Sequence, residues 1–223
     1  MDTTFLRTRI FLTILQITVP AVNEKTGRVL FMEEKNIRRC SWVDSATECY
    51  HDEEWGKPSH DDRYLFEMLV LESFQAGLSW VIILKKREGF RRAFDGFDYK
   101  KIAGYTDDDI ERLVHNDDIV KSRGKIAAAV QNAKVFMEIQ KEFGSFSDYL
   151  WSFVDGQPIR DVSAGYVNRT PLSDEISKDL KKRGMKYMGS TTTLAYLLAV
   201  GIYNAHEPHC FLSPELSDKP GDR

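Results

Sequence analysis

Residues 61–80 read DDRYLFEMLVLESFQAGLSW, and this stretch decides the fold. Leu65, Met68, Leu69, Val70, Leu71 and Phe74 recur at the three- and four-residue spacing of a helix with a buried face. Ser59 and Asp61 stand where a cap is required, because a short polar side chain can accept from the unpaired N–H groups of a first turn. The run stops at Ala76 and Gly77, where glycine permits a tight backbone. Leu78 then reads as an exposed apolar tip, and Trp80 opens the next helix. One residue fits poorly. Glu72 lies among Val70, Leu71, Phe74 and Ala76, and a buried, unpaired carboxylate is costly enough to be a recognition or catalytic group. The plainer alternative is that Glu72 reaches solvent or caps a neighbouring element. Trp80, Trp42 and Tyr50 supply aromatic faces nearby. Aromatics are most often core, but with a carboxylate they also form a pocket for a flat cationic ligand.

The helical period continues outward from this stretch. It predicts helices over Trp80–Phe94, from Thr106 through Val114, and over Ser122–Phe143. In the second of these an acid at the third helical position completes a capping box. Shorter helices fit Phe146–Val154, Ser173–Lys182 and Thr191–Val200, with 157–171 as an irregular loop and no convincing strand. The fold class is all-α. Between two of the helices lies HNDDIVKSRGK, residues 115–125. A helical hairpin of this kind can present backbone N–H groups to a phosphate, with Lys121, Arg123 and Lys125 beside it. Taken alone, an ordinary connection with a solvated basic edge explains it better.

Two Cys/His pairs bracket the helical region, Cys40 with His51 and His206 with Cys210. Zinc takes two thiolates and two imidazoles in a closed tetrahedron, so convergence of these four would clip the chain ends together. The chain has 223 residues, 42% hydrophobic and 29% charged, as expected of a globular protein with a sizeable core. Its net charge of −3 leaves any nucleic-acid surface to a local patch. Three cysteines do not make a disulfide framework and point to a reducing compartment. Residues 1–36 read as a non-core extension: the apolar run Ile10–Val22 is too short and polar to span a membrane. A short hairpin around Asn23–Gly27 is an alternative there, and Met32 would itself make a sensible start. Residues 213–223 read as a polar tail, leaving 37–212 as the functional domain.

The segments RRCSWV, YHDEEWG, LFEMLVLESFQAGLSW, ILKKRE, RGKIAAAVQNA, WSFV and KKRGMKYMGSTTT follow one another in this order, ending at the His206/Cys210 pair. Together they resemble the DNA-3-methyladenine glycosylase I, or Tag, family, from about Arg38 to Cys210. The resemblance implies a helix-hairpin-helix DNA glycosylase fold, its ends joined by one structural zinc per chain on Cys40, His51, His206 and Cys210. It implies that Glu72 recognises the base, that Tyr50, Trp80 and Trp42 hold it, and that Gln75, Gly77 and Leu78 form the loop entering DNA. It also implies a monofunctional, monomeric enzyme acting on alkylated double-stranded DNA, releasing free 3-methyladenine and needing no membrane. Its location is cytoplasmic (nucleoid-associated) or nuclear, with organellar targeting by residues 1–31 left open. Three positions depart from the family pattern: Phe74 where a polar residue is expected, Ser73 at a glycine-like position, and the glycine-free turn Asn116–Asp118. The first allows a shifted lesion preference, and the last sets two carboxylates beside the expected phosphate. A different class also fits: a non-enzymatic, zinc-clipped helical module that binds bent or damaged DNA. A pure binder does not require Glu72 buried with Tyr50 and Trp80.

Overall fold

The computed structural model describes residues 37–214, so the readings of residues 1–36 and of most of the polar tail lie outside the described residues. Among the described residues nine α-helices follow in order: α1 Glu48–Glu53, α2 Asp62–Gln75, α3 Trp80–Ala93, α4 Tyr99–Ile102, α5 Asp107–Val114, α6 Arg123–Phe143, α7 Phe146–Ser152, α8 Pro171–Lys182 and α9 Ser190–Ala199. The all-α expectation holds, with one addition. Ile159–Arg160 (β1) and Tyr203–Asn204 (β2) form a two-residue parallel pair inside what reads in sequence as loop. Two residues carry no periodicity, so the sequence gives no signal for them. The short helices α1 and α4 escape for the same reason.

Helix α2 is the axis of the domain. Its residues from Leu65 to Phe74 are all buried, and α3, α6, α7 and α9 pack around it. A helix enclosed on every side needs apolar residues on every side, which is why its sequence is a nearly unbroken apolar run. Asp61 caps it by accepting from the Tyr64 N–H at 2.7 Å. The expected capping box at α5 is present, with Thr106 and Asp109 exchanging hydrogen bonds. Two buried carboxylates lie in this helix and fare differently. Glu67 accepts from Arg87 at 2.6 Å and from Arg91 at 3.0 Å, and Arg87 also pairs with Glu54 at 2.7 and 2.8 Å. That network ties the end of α1 to α2 and α3. Glu72 has no such partner.

The β1–β2 pair carries the chain past α9 toward its last segment. Gly201, at φ +78°, makes the turn, and a side chain there would lie 2.2 Å from the Lys57 carbonyl carbon. Only glycine lets these two backbones meet.

Candidate functional site

Helices α1, α2, α3 and α9 enclose a cavity of about 210 Å³, lined by Trp42, Tyr50, Trp55, Glu72, Gln75, Trp80, Ala195 and Leu198. Tyr50 and Trp80 stand with ring centroids 5.2 Å apart, inclined at 57°. Glu72 is 4% exposed, and no hydrogen bond reaches its carboxylate among the described residues. Burial pushes its pKa up to about 8. The neighbouring Tyr50 hydroxyl is also held well above its ordinary value, first by burial and then by the Glu72 charge. Across the same lining, the buried indole N–H of Trp80 has no partner among the described residues. The pocket thus offers aromatic walls and one unmatched acceptor. An unmatched buried carboxylate is costly, and a ligand with a complementary donor edge would match it.

Behind the pocket the two Cys/His pairs converge. The ligand atoms of Cys40, His51, His206 and Cys210 lie within 4.8 Å of one another, and all four residues are buried. Nε2 of His51 is 3.4 Å from the Cys210 sulfur, and Nδ1 of His206 is 3.5 Å from both sulfurs. The far nitrogens are occupied. His51 Nδ1–H donates to Asp52 at 2.7 Å, and His206 Nε2–H donates to the Trp55 carbonyl at 3.1 Å. Asp52 is itself held by Arg39 at 2.7 to 3.0 Å. These outer bonds leave the inward nitrogens with free lone pairs, the arrangement found around metal-ligating histidines. Burial raises the Cys40 thiol to about 12 and lowers His206 to about 4. Together the four can hold a metal ion joining the start and end of the domain. His209, next to Cys210 in sequence, lies outside the cluster, exposed and donating to the Arg39 carbonyl. One short helix serves both centres, because Tyr50 of α1 enters the pocket and His51 enters the cluster. Trp42 packs edge-on against both His51 and Trp55, so the cluster braces the pocket wall.

A family model described as Methyladenine glycosylase matches residues 40–213. The chain belongs to the methyladenine glycosylase family. DNA-3-methyladenine glycosylase 1 of Escherichia coli strain K12 is 42% identical over 184 residues, covering 80% of this chain and 98% of that protein. The DNA-3-methyladenine glycosylase of Haemophilus influenzae is 44% identical over 177 residues, covering 77% and 96%. A crystal structure of 3-methyladenine DNA glycosylase I superposes with a TM-score of 0.75 at 45% identity, over 79% of this chain and all of that one. The enzyme from Staphylococcus aureus, solved to explain its 3-methyladenine recognition, gives 0.73 at 40% identity, over 77% and 93%. The expected fold class is thereby borne out.

The remaining expected residues of this methyladenine glycosylase chain fall into two groups. Gln75, Gly77 and Leu78 form one turn at the pocket mouth. Ala76 at φ −47°, ψ 112° followed by Gly77 at φ +82° is a type II turn, closed by Leu78 N–H to the Gln75 carbonyl. Gln75 also donates its side-chain amide to the Leu78 carbonyl at 2.9 Å. Leu78 is half-buried against the core, not the exposed tip its position suggests. The basic residues lie at the α5–α6 hairpin. Lys121 pairs with Asp117 at 2.5 Å, and Arg123 pairs with Glu111. Lys125 instead turns inward and donates to the carbonyls of Phe74 and Ala76 at 2.8 and 2.7 Å. The two hairpin carboxylates are offset locally, because Arg92 reaches Asp118 at 3.0 Å while Lys121 holds Asp117 below its ordinary pKa.

The family departures have structural explanations. Phe74 points into the core, with ring centroids 4.8 Å from Phe90 and 6.0 Å from Phe94, and does not line the pocket. A change of lesion preference therefore has no support from Phe74. Ser73 is fully buried and returns its hydroxyl to the Val70 carbonyl at 2.7 Å, within its own helix. Trp55, Ala195 and Leu198 line the pocket without having been expected. The aromatic in YHDEEWG was the available signal for Trp55, whereas nothing in sequence separates Ala195 and Leu198 from core.

Proposed function

We propose that this chain excises 3-methyladenine from alkylated DNA as a monofunctional glycosylase that flips the base into the Glu72 pocket. The observation carrying this reading is the buried, unpartnered carboxylate facing a Tyr50–Trp80 aromatic pair in a family whose relatives bear that activity in their names. A base inside a duplex is out of reach, and a damaged base costs least to extrude. Methylation at the adenine 3-position gives the base a positive charge. Aromatic faces favour that cation over neutral adenine by about 0.5–2 kcal/mol per contact. Glu72 accepts from the donor edge of the adenine, and its charge adds to the preference.

The charged base is already a good leaving group. The bond from the sugar C1′ to the base nitrogen breaks, its electron pair passes to the base, and neutral 3-methyladenine departs. Water adds to the oxocarbenium-like sugar and gives up a proton, as in glycoside hydrolysis. The cavity lining contains no lysine, which fits hydrolysis without a covalent amine intermediate. Gln75, Gly77 and Leu78 occupy the space left by the base. Lys121 and Arg123 contribute salt-sensitive contacts to phosphate.

The Cys40, His51, His206 and Cys210 cluster fits zinc. A tetrahedral ion about 2.3 Å from sulfur and about 2.0 Å from nitrogen separates the two kinds of ligand atom by about 3.5 Å. The 3.4 and 3.5 Å sulfur–nitrogen separations agree with that edge. With four protein ligands the ion holds structure and takes no part in the reaction. We take residues 37–212 as the glycosylase domain of a monomer working in a reducing, DNA-containing compartment. No helix among the described residues is long and apolar enough to cross a membrane.

The test is single-turnover release of free 3-methyladenine from methylated duplex DNA, with 7-methylguanine release measured in parallel. Release of 3-methyladenine alone is expected. Tight binding of methylated duplex without any release would return the protein to the class of non-enzymatic binders.

A further inference from the structure

We infer that Lys125 is a positioning residue, which holds the Gln75–Leu78 turn at the pocket mouth by capping the C-terminus of α2 from across the fold. The inference rests on the glycosylase reading for its consequence in excision, but not for its geometry. A helix leaves its last carbonyls without intrahelical partners. Among the described helices, α2 alone ends without a backbone N–H returning from its cap residue. It also has no basic residue in its last turn. Its chain leaves at once into the type II turn, and Gly77 there has nothing within 4 Å of where a side chain would begin. No side chain packs over Gly77 at the middle of the turn.

Lys125 supplies the missing cap. Its ammonium has three N–H donors, and two of them go to the Phe74 and Ala76 carbonyls at 2.8 and 2.7 Å. A cation at a helix C-terminus also meets the negative end of the helix dipole. The side chain is half-buried and packs beside Tyr187, with its nitrogen 6.0 Å from the ring centroid. Tyr187 is brought this close because position 124 is glycine: a side chain there would lie 2.9 Å from the Tyr187 hydroxyl. Asn132, fully buried, fixes the same loop by bonding both backbone groups of Lys186 at 2.8 and 3.0 Å. Lys125 is thus set by α6 and by the loop before α9, and it transmits their rigidity to the turn carrying Gln75 and Leu78. A phosphate contact would need the same ammonium to face outward.

Lys125→Met and Lys125→Arg separate the two roles. Hydrogen exchange on the free protein is measured at the amides of Gly77 and Leu78, alongside the salt dependence of duplex binding and single-turnover excision. Lys125→Met is expected to speed exchange at the turn about tenfold and slow excision from duplex by a similar factor, with Lys125→Arg recovering part of both. The slope of log affinity against log salt is expected to stay unchanged, while Lys121→Ala lowers it by about one contact. A slope reduced by Lys125→Met, with exchange unaltered, overturns the assignment in favour of phosphate contact. So does a lowered melting temperature with exchange at the turn and excision both as in the wild type. If the wild type releases no 3-methyladenine, the glycosylase reading fails alone, because the exchange measurement still decides the role of Lys125.

Discussion

Replacing Glu72 with glutamine keeps the size of the side chain and removes its charge, and the structure sets the expected magnitude. Burial holds this carboxyl at about pKa 8, whereas in the unfolded chain a glutamate titrates near its ordinary value of about 4.3. At pH 7 folding therefore requires a proton that the unfolded chain does not carry. A raised acid contributes stability that is fully present below the unfolded value and is lost as pH rises toward the folded one. At about 1.4 kcal/mol per pH unit, and less near each pKa, the wild type loses about 3.5 kcal/mol from this group between pH 5 and pH 8. Glutamine does not titrate. Its buried amide costs about 1–3 kcal/mol if unmatched, but that cost is independent of pH. The stability difference between Glu72→Gln and wild type should therefore shift in favour of the variant by about 3.5 kcal/mol from pH 5 to pH 8. Denaturant unfolding of both proteins at the two pH values measures this, and the difference cancels the carboxylates elsewhere whose pKa is lowered, such as Asp52 and Asp179. In function the order reverses. Loss of a charged hydrogen bond to the base should slow excision by about one to two decades. The ratio of wild-type to variant affinity for free 3-methyladenine should grow with pH up to about 8. A pH-independent stability difference would show that Glu72 is solvated or paired in the folded protein. Unchanged excision would remove it from the base site.

Three further outcomes are expected. Purified protein should carry one zinc per chain by elemental analysis, and Cys210→Ala or exhaustive chelation should lower the melting temperature by more than 10 °C; folded, metal-free protein of unchanged stability would refute the cluster's role. Leu78→Ala should slow excision from duplex DNA more than from single strands, since only in a duplex must the flipped state compete with restacking; equal losses would refute that role. Gly89→Ala should destabilise the fold by about 1–3 kcal/mol in denaturant unfolding, because a side chain on α3 would lie 2.4 Å from the Asp118 carbonyl oxygen of the hairpin; an unchanged midpoint would mean the hairpin can withdraw freely.

The sequence makes some of this site legible and hides the rest for definable reasons. Helices with a sustained period, such as α2 and α6, are readable because burial of one face imposes that period. Helix α1, with only six residues, is too short to show one, yet it carries both Tyr50 and His51. The four residues that could hold a metal ion stand out by chemical type, and their convergence depends on contacts between residues more than 150 positions apart. Glu72 is legible as an anomaly because its neighbours are apolar. Its companion Glu67 looks similar in sequence and is distinguished only by Arg87 and Arg91 arriving from α3. Lys125 reads as one of three basic residues beside a hairpin. Nothing local reveals that its ammonium turns back toward α2, because that direction is set by how α6 crosses the end of α2.

The Cys2His2 cluster also imposes an order on synthesis. Cys40 and His206 lie 166 residues apart in sequence, and their ligand atoms lie 3.5 Å apart in space. During translation Cys40 and His51 emerge early, and His206 and Cys210 follow α1 to α9. A nascent chain stopped anywhere before His206 holds half a metal site, together with one pocket wall that leans on it through Trp42 and Trp55. Closure of the cluster is therefore a late event that reports completion of the domain. A product truncated just before His206 keeps α2 with Glu72 but lacks the two residues that would complete the cluster beside its first helix.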